Sequence, residues 1–163
     1  MHKFLVAFSL VLLPFGDVMA DVALLPAVGE EAAPLEPLLT PEQQQQHLVF
    51  DISLHDAADL ALLLHRLERL VMQPRAQGAM PQIALVLHGP EVEFFALKNY
   101  PKYQELVDLA AKLDAFKIIE VKACQTRMKS LGLMDEDMPA FIELVPFGPD
   151  EIQQLVEQNY LRM

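Results

Sequence analysis

The sequence predicts an α/β domain, a three-layer sandwich around a mainly parallel sheet of four to five strands. Two observations carry this prediction. From about residue 48 onward, short runs rich in Val, Ile and Leu alternate with longer amphipathic segments. The short runs are almost continuously apolar, which is typical of strands that are buried on both faces of a sheet. Right-handed crossovers through the amphipathic segments would then place helices on both faces.

The first half of the domain contains two predicted strands and one long helix. Leu48–Ile52 is predicted to be a buried strand, and residues 53–56 have the spacing of a capping box that opens a helix. Leucines recur at helical spacing up to Met72, and Pro74 is expected to stop this helix. The second strand is predicted over Ile83–Leu87.

The second half continues the alternation. We predict, in order, a short helix over 91–97, a helix after Pro101, a strand over 116–121, a helix over 125–131 ended by Gly132, a strand over 141–145 and a last helix opened by Gly148 and Pro149. His88 follows the second strand, and Cys124 follows the third. Ligands of such folds bind outside the carboxyl ends of the strands, where both residues are expected to lie.

The first twenty residues are predicted to be a signal peptide, 1–20. Lys3 precedes an apolar run over 4–15 that is too short to span a bilayer as a helix, and small residues before Ala20 fit a cleavage site. An uncleaved anchor is the alternative. No later apolar segment is long enough to cross a membrane, so we expect a periplasmic protein without membrane association after cleavage, beginning at Asp21.

The next segment, 21–47, is predicted to be an acidic tether rich in Pro and Gln, and the domain itself to span 48–163. Four prolines and a run of four glutamines fall in the tether. Prolines at this density interrupt both helix and sheet, and the apolar residues have no sustained period. We therefore expect extended or disordered chain there rather than a second domain.

The charge of the chain excludes one class of partner. It has 12 Lys and Arg against 23 Asp and Glu, a net charge of −11. Such a surface repels phosphate backbones, so we expect no nucleic-acid partner. No glycine-rich phosphate-binding motif, nucleophile elbow or catalytic carboxylate pair is present. We therefore expect no nucleotide cofactor and none of the common hydrolase mechanisms.

Cys124 is the only cysteine, which excludes an intramolecular disulfide and a Cys-rich zinc site. The histidines have no ligand spacing with one another, and Cys124 with His88 would supply too few ligands for a closed zinc site. We therefore expect no metal and no other cofactor. An unpaired thiol in an oxidising compartment is either buried and inert, paired between chains, or reactive.

Four segments together resemble a known family. Residues 48–53, 84–90, 121–126 and 142–146 read LVFDIS, ALVLHGP, VKACQT and IELVP. Their order and spacing are similar to those of the DsrE/DsrF-like sulfur-relay proteins, over essentially the whole domain. The resemblance implies a homo-oligomer, a trimer or hexamer, in which Cys124 carries persulfide sulfur. The chain departs from the family in its export signal, because the characterised sulfur relays are cytoplasmic, and in having Asn-Tyr near its end where many relatives have Gly-Tyr.

Cys124 and His88 are the candidate catalytic residues. Helix amides after Cys124, and the nearby Lys122, Arg127 and Lys129, favour the thiolate that attacks sulfur. The thiolate would accept sulfane sulfur and pass it to a partner thiol without a metal. His88 would orient or deprotonate the thiol if the two turns are neighbours. The alternative is a non-catalytic oligomeric binding module in which Cys124 is a packing residue and His88 satisfies turn amides.

Overall fold

The computed structural model describes Gln43, residues 46–72 and residues 82–163. The signal peptide predicted over 1–20 lies outside the described residues, as does the tether predicted over 21–47 except for Gln43 and its last two residues. Among the residues described, no helix combines the length and the apolar character needed to cross a membrane.

The described part of the chain forms a five-stranded sheet in which every pairing is parallel. In chain order the strands are β1 Leu48–Ile52, β2 Ile83–Leu87, β3 Glu120–Cys124, β4 Glu143–Val145 and β5 Leu161–Arg162. Across the sheet their order is β4-β3-β2-β1-β5. The last strand therefore lies beside the first, at the opposite edge from β4.

Helices cover both faces of this sheet, so the predicted three-layer α/β sandwich is confirmed. The α-helices are α1 Ala57–Met72, α2 Tyr100–Ala115, α3 Gln125–Ser130 and α4 Gly148–Glu157. Three 3-10 segments, Pro90–Phe95, Leu97–Asn99 and Asp135–Asp137, lie between them. The pair α1 and α2 packs on one face, and α4 crosses the other face over β3, β2 and β1.

The face under α1 and α2, here the α1/α2 face, holds the main apolar core. Side chains alternate along a strand, so every second residue of each strand points to this face. They meet the apolar stripes of the two helices in one buried cluster. Its fully buried large members include Leu48, Leu60, Leu64, Leu67, Ile83, Leu85, Leu87 and Leu113.

The face under α4, here the α4 face, is smaller and partly polar. The intervening strand residues point to it, and its apolar cluster consists of Val49, Ala84, Val86, Ile152 and Leu155. The same alternation puts Asp51, Lys122 and Cys124 on this face. Charged groups therefore lie inside strands whose other face is wholly apolar.

The third strand was predicted wrongly, over 116–121, and it begins instead at Glu120. Residues 116 and 117 form the turn that follows α2, where Lys117 has a left-handed φ of 58°. The N–H of Ile118 donates to the carbonyl of Leu113, and that of Lys117 to the carbonyl of Asp114, which closes the helix. Cys124 is consequently the last residue of β3 rather than a residue beyond it.

Other boundaries also shift. The capping box predicted over 53–56 is wrong, because Asp56 itself caps α1 by accepting the N–H of Ala58 at 2.8 Å. The fourth strand begins at Glu143 rather than at 141, and the short helix predicted over 91–97 is a 3-10 segment. Beyond the four strands located in the sequence, the structure adds β5.

Candidate functional site

The carboxyl ends of β2 and β3 open into a cleft of about 210 Å³. His88 stands directly after β2, and Cys124 ends β3. The cleft is lined by His88, Cys124, Thr126, Arg127, Ser130, Phe147 and Pro149. The structure thus brings the two predicted site residues together at one opening.

Gly148 allows this approach. A Cβ atom added at Gly148 would stand 2.7 Å from the Cβ of His88 and 3.3 Å from the Cβ of Cys124. No side chain fits between those two atoms, which belong to rigid positions near the backbone. The first residue of α4 therefore fills the gap between the two candidate residues with backbone alone.

Cys124 is held at the start of α3. Its Sγ accepts the backbone N–H of Arg127 at 3.4 Å, so the sulfur caps the helix in the manner of a hydroxyl or carboxylate. The hydroxyl and the N–H of Thr126 both donate to the carbonyl of Pro146, which ties this helix to the end of β4. Only 2% of Cys124 is exposed.

His88 is oriented from β1. Its Nε2 is bonded to Oδ1 of Asp51, and Oδ2 of Asp51 accepts from the guanidinium of Arg162 on β5. The backbone N–H of His88 donates to the carbonyl of Ile52 at 3.2 Å, which continues the ladder past β2. Burial by itself raises the pKa of Asp51, but the bonds from His88 and Arg162 outweigh it and lower that pKa. The carboxylate is therefore ionised at neutral pH.

Lys122, predicted to favour the thiolate, has other partners. Its Nζ lies 2.7 Å from Oε2 of Glu143 and 3.1 Å from Oε1 of Glu151. Burial alone would lower the pKa of Lys122, yet the two carboxylates raise it. The charge of this lysine is thus engaged between β4 and α4. Of the three predicted cations, Arg127 lines the cleft, and Lys129 is exposed.

Glu91 is a buried carboxyl group behind His88. It is 0% exposed, and its Oε1 accepts the N–H of Gly89 at 2.7 Å. Burial raises the pKa of Glu91, and backbone donors, including Gly89 and Leu54, and the nearby His88 offset this only in part. The carboxyl group is thus tied to the turn that follows β2.

The described ranges contain no group of three or more His, Cys, Asp or Glu side chains that could hold a metal ion. The site offers a thiol that accepts a helix N–H, and an imidazole with a carboxylate partner. This set suits nucleophilic and proton-transfer chemistry of sulfur.

Sequence reasoning missed Asp51, Arg162 and Gly148 as parts of the site. One signal was present for Asp51, which is the only charged residue within the apolar strand LVFDI. Arg162 lies 111 residues from Asp51 in sequence, and no local pattern connects them. The place of Gly148 between two other turns becomes visible only in three dimensions.

Comparison with known proteins gives information on the fold and not on the function. No family model matches the chain, and no curated protein matches it significantly. Among solved structures, the fold is similar to that of a protein of unknown function, MTH1491 from Methanobacterium thermoautotrophicum, with a TM-score of 0.59 and 16% sequence identity. The match covers 72% of this chain and 97% of that one. This chain thus shares its α/β architecture with that protein.

Proposed function

We propose that this protein is an exported sulfur carrier or thiol-exchange protein of the DsrE/DsrF-like type, in which Cys124 bears the sulfur. One observation carries the proposal: Cys124 and His88 line the same cleft at the carboxyl edge of the sheet. The sequence resemblance assigns the sulfur-bearing role to the same cysteine. The helix N–H on Sγ stabilises negative charge on that atom.

The reaction requires no oxidant. The Cys124 thiolate attacks the outer sulfur of a donor persulfide, R–S–SH, so a new S–S bond forms as the donor's S–S bond breaks. The donor leaves as the thiolate R–S⁻, and Cys124 becomes Cys–S–SH. A partner thiolate then attacks the outer sulfur, takes it and releases the Cys124 thiolate. One sulfane sulfur moves in each step, and no metal takes part.

His88 handles the proton in this scheme. Its Nε2 is engaged by Asp51, so Nδ1 is the ring nitrogen that takes the thiol proton before attack and returns it afterwards. Asp51 is ionised and can only accept, so Nε2 carries the hydrogen of the neutral ring. The pair thus presets the tautomer that proton transfer needs.

A second candidate is a non-catalytic oligomeric binding module. The burial of Cys124, 2% exposed, favours it, because a small buried thiol also serves as a packing residue. The two functions make opposite predictions for the reactivity of this thiol.

Intact-mass measurement separates them. After incubation with a low-molecular-weight persulfide, the folded protein should gain single-sulfur mass increments, and Cys124→Ser should fold normally yet gain none. Native Cys124 should also alkylate faster near neutral pH than an unstructured cysteine. Alkylation that occurs only after denaturation, without sulfur adducts, would leave the binding module as the function.

Export and assembly belong to the same proposal. Fractionation of the native host should find a periplasmic chain that begins near Asp21, and full-length protein in the cytosol would contradict export. Light scattering should show a homo-oligomer, a trimer or hexamer. A monomer at micromolar concentration would contradict that assembly.

A further inference from the structure

Three polar side chains on the α4 face come from three different strands or strand ends. Arg162 pairs with Val49 in the register of β5 and β1, so its side chain shares the face of Val49. Asp51 stands two residues further along β1 on that face. On the adjacent strand β2, Asp51 pairs with Val86, and His88 lies two residues beyond Val86. The sheet thus lines up Arg162, Asp51 and His88 along one diagonal.

The contacts follow this line. Each carboxylate oxygen of Asp51 has its own partner, Oδ1 the His88 ring and Oδ2 the Arg162 guanidinium. The side chain of Asp51 is 19% exposed and that of His88 is 23% exposed, so water competes only weakly for the bond between them. Arg162 is 61% exposed at the side chain and closes the outer end of the chain of contacts.

A carboxylate with one partner could rotate and present either oxygen to the ring. The Arg162 guanidinium engages Oδ2, which fixes the carboxylate plane and leaves Oδ1 facing Nε2. Because an ionised carboxylate only accepts hydrogen bonds, Nε2 must then carry the hydrogen of the neutral ring. The hydrogen-free nitrogen is therefore Nδ1.

We propose that Arg162, on the edge strand β5, is a positioning residue that acts through Asp51 to fix the tautomer and orientation of the His88 ring beside Cys124. Its importance for sulfur transfer rests on the proposed function, whereas its effect on the His88 ring does not. Arg162 does not line the cleft, and its guanidinium donates to Asp51. Arg162 therefore acts on His88 indirectly, through Asp51.

The test is a ¹⁵N NMR measurement of the ring nitrogens of His88, on the full mature chain, at a pH where the ring is neutral. In the wild type, Nε2 should show the shift of a protonated nitrogen and Nδ1 that of a bare one. Arg162→Gln should move both shifts toward the average of two exchanging tautomers, and Asp51→Asn should do so at least as strongly. Arg162→Lys keeps a cation near Oδ2 and should restore most of the wild-type pattern.

Arg69→Gln is the matched control, since it removes an exposed arginine from α1 on the other side of the sheet. It should leave both His88 shifts unchanged. The proposal would be overturned if folded Arg162→Gln kept the wild-type His88 shifts. It would also be overturned if Arg69→Gln changed those shifts as much as Arg162→Gln does. A changed tautomer in Arg162→Gln together with a Cys124 that takes up no sulfur would uphold the positioning role and refute sulfur transfer.

If Cys124 does take up sulfur, the rate gives a second measurement. Arg162→Gln should slow sulfur uptake several-fold, Arg162→Lys should recover most of the rate, and Arg69→Gln should match the wild type. A rate that follows the loss of thermal stability in every variant, rather than the His88 shifts, would show a merely structural role and overturn the proposal.

Discussion

The two faces of the sheet differ in what covers them and in what they carry. Two helices of 16 residues each cover the α1/α2 face, and its strand residues form one apolar cluster. One helix of 10 residues covers the α4 face, whose strands carry Asp51, Lys122 and Cys124 beside a small apolar cluster. The two faces share a backbone but have different tasks.

This contrast shows which face of the sheet can accommodate polar, chemically active groups. Close packing on the α1/α2 face supplies most of the apolar burial, and a polar group there would lose its hydration without a partner. On the α4 face the two charged strand residues that are at least partly buried have partners: Asp51 has His88 and Arg162, and Lys122 has Glu143 and Glu151. Stability is concentrated on one side of the sheet, and the candidate chemistry on the other.

A pair of truncations tests this contrast most strongly. Leu64 of α1 is 0% exposed within the large cluster, so Leu64→Ala should lower the free energy of unfolding by about 3 to 5 kcal/mol. Leu155 of α4 is 5% exposed in the small cluster, so Leu155→Ala should cost about 2 kcal/mol. Urea unfolding measures both. A larger loss for Leu155→Ala would reverse the assigned roles of the two faces.

Gly148→Ala should combine a stability loss with a blocked cleft. The added methyl group would meet the Cβ atoms of His88 and Cys124, which cannot move without the backbone. We expect a cost of about 1 to 3 kcal/mol and a fall in the rate of Cys124 alkylation. Gly132→Ala is the control, because an added Cβ there meets nothing within 4 Å, although its φ of +68° adds strain. An unchanged alkylation rate in Gly148→Ala would contradict the described geometry.

Lys122→Met should have a moderate effect on stability. It removes the partner of Glu151, whose side chain is 18% exposed, while the more exposed Glu143 returns to water. We expect a loss of about 1 to 2 kcal/mol at neutral pH, which the added change Glu151→Gln should partly reverse. The loss should shrink as the pH rises through the raised pKa of Lys122, because the wild type then also lacks the cation.

The reactivity of Cys124 gives a second test of the Lys122 contacts. Because the charge of Lys122 is engaged by two carboxylates, Lys122→Met should leave the alkylation rate of Cys124 within about twofold of the wild type. A much larger decrease would show that this cation supports the thiolate after all.

Glu91→Gln should produce the smallest change, visible mainly as pH dependence. The pKa of Glu91 is raised by burial, so its contribution to stability is full below its ordinary value of 4.5 and is lost as the pH rises through the raised value. Melting temperatures measured between about pH 4 and pH 7 should therefore fall less for Glu91→Gln than for the wild type. The exposed Glu136→Gln is the control and should follow the wild type. Parallel curves for all three proteins would contradict this role of Glu91.

The sequence predicted best the strands and helices that a local residue pattern determines. Apolar runs located β1 and β2, and helical spacing located α1, because burial on both faces or on one stripe leaves a direct trace in the sequence. The third strand was misplaced because the apolar Phe116, at the end of α2, resembles a strand residue, although 69% of it is exposed. The two-residue strand β5 is too short to leave any periodic trace.

For the candidate site, the sequence could predict only its location in the fold. The rule that ligands meet at carboxyl ends of parallel strands placed His88 and Cys124 correctly at one edge. It says nothing about which side chain orients His88, because Asp51 and Arg162 are joined by sheet register and not by sequence proximity. The partners of Lys122 were missed for the same reason.

The position of β5 beside β1 affects the order in which the molecule can be completed. The N–H of Leu161 donates to the carbonyl of His47 and that of Met163 to the carbonyl of Val49, so residues that follow the other four strands in the chain pair with residues at the start of the domain. Until those residues leave the ribosome, Asp51 has no access to Arg162. Strands β1 to β4 precede β5 in the chain, whereas the bond from Arg162 to Asp51 forms only once β5 is present. A chain that stopped before β5 would therefore carry the Cys124 thiol and the His88 ring without this contact.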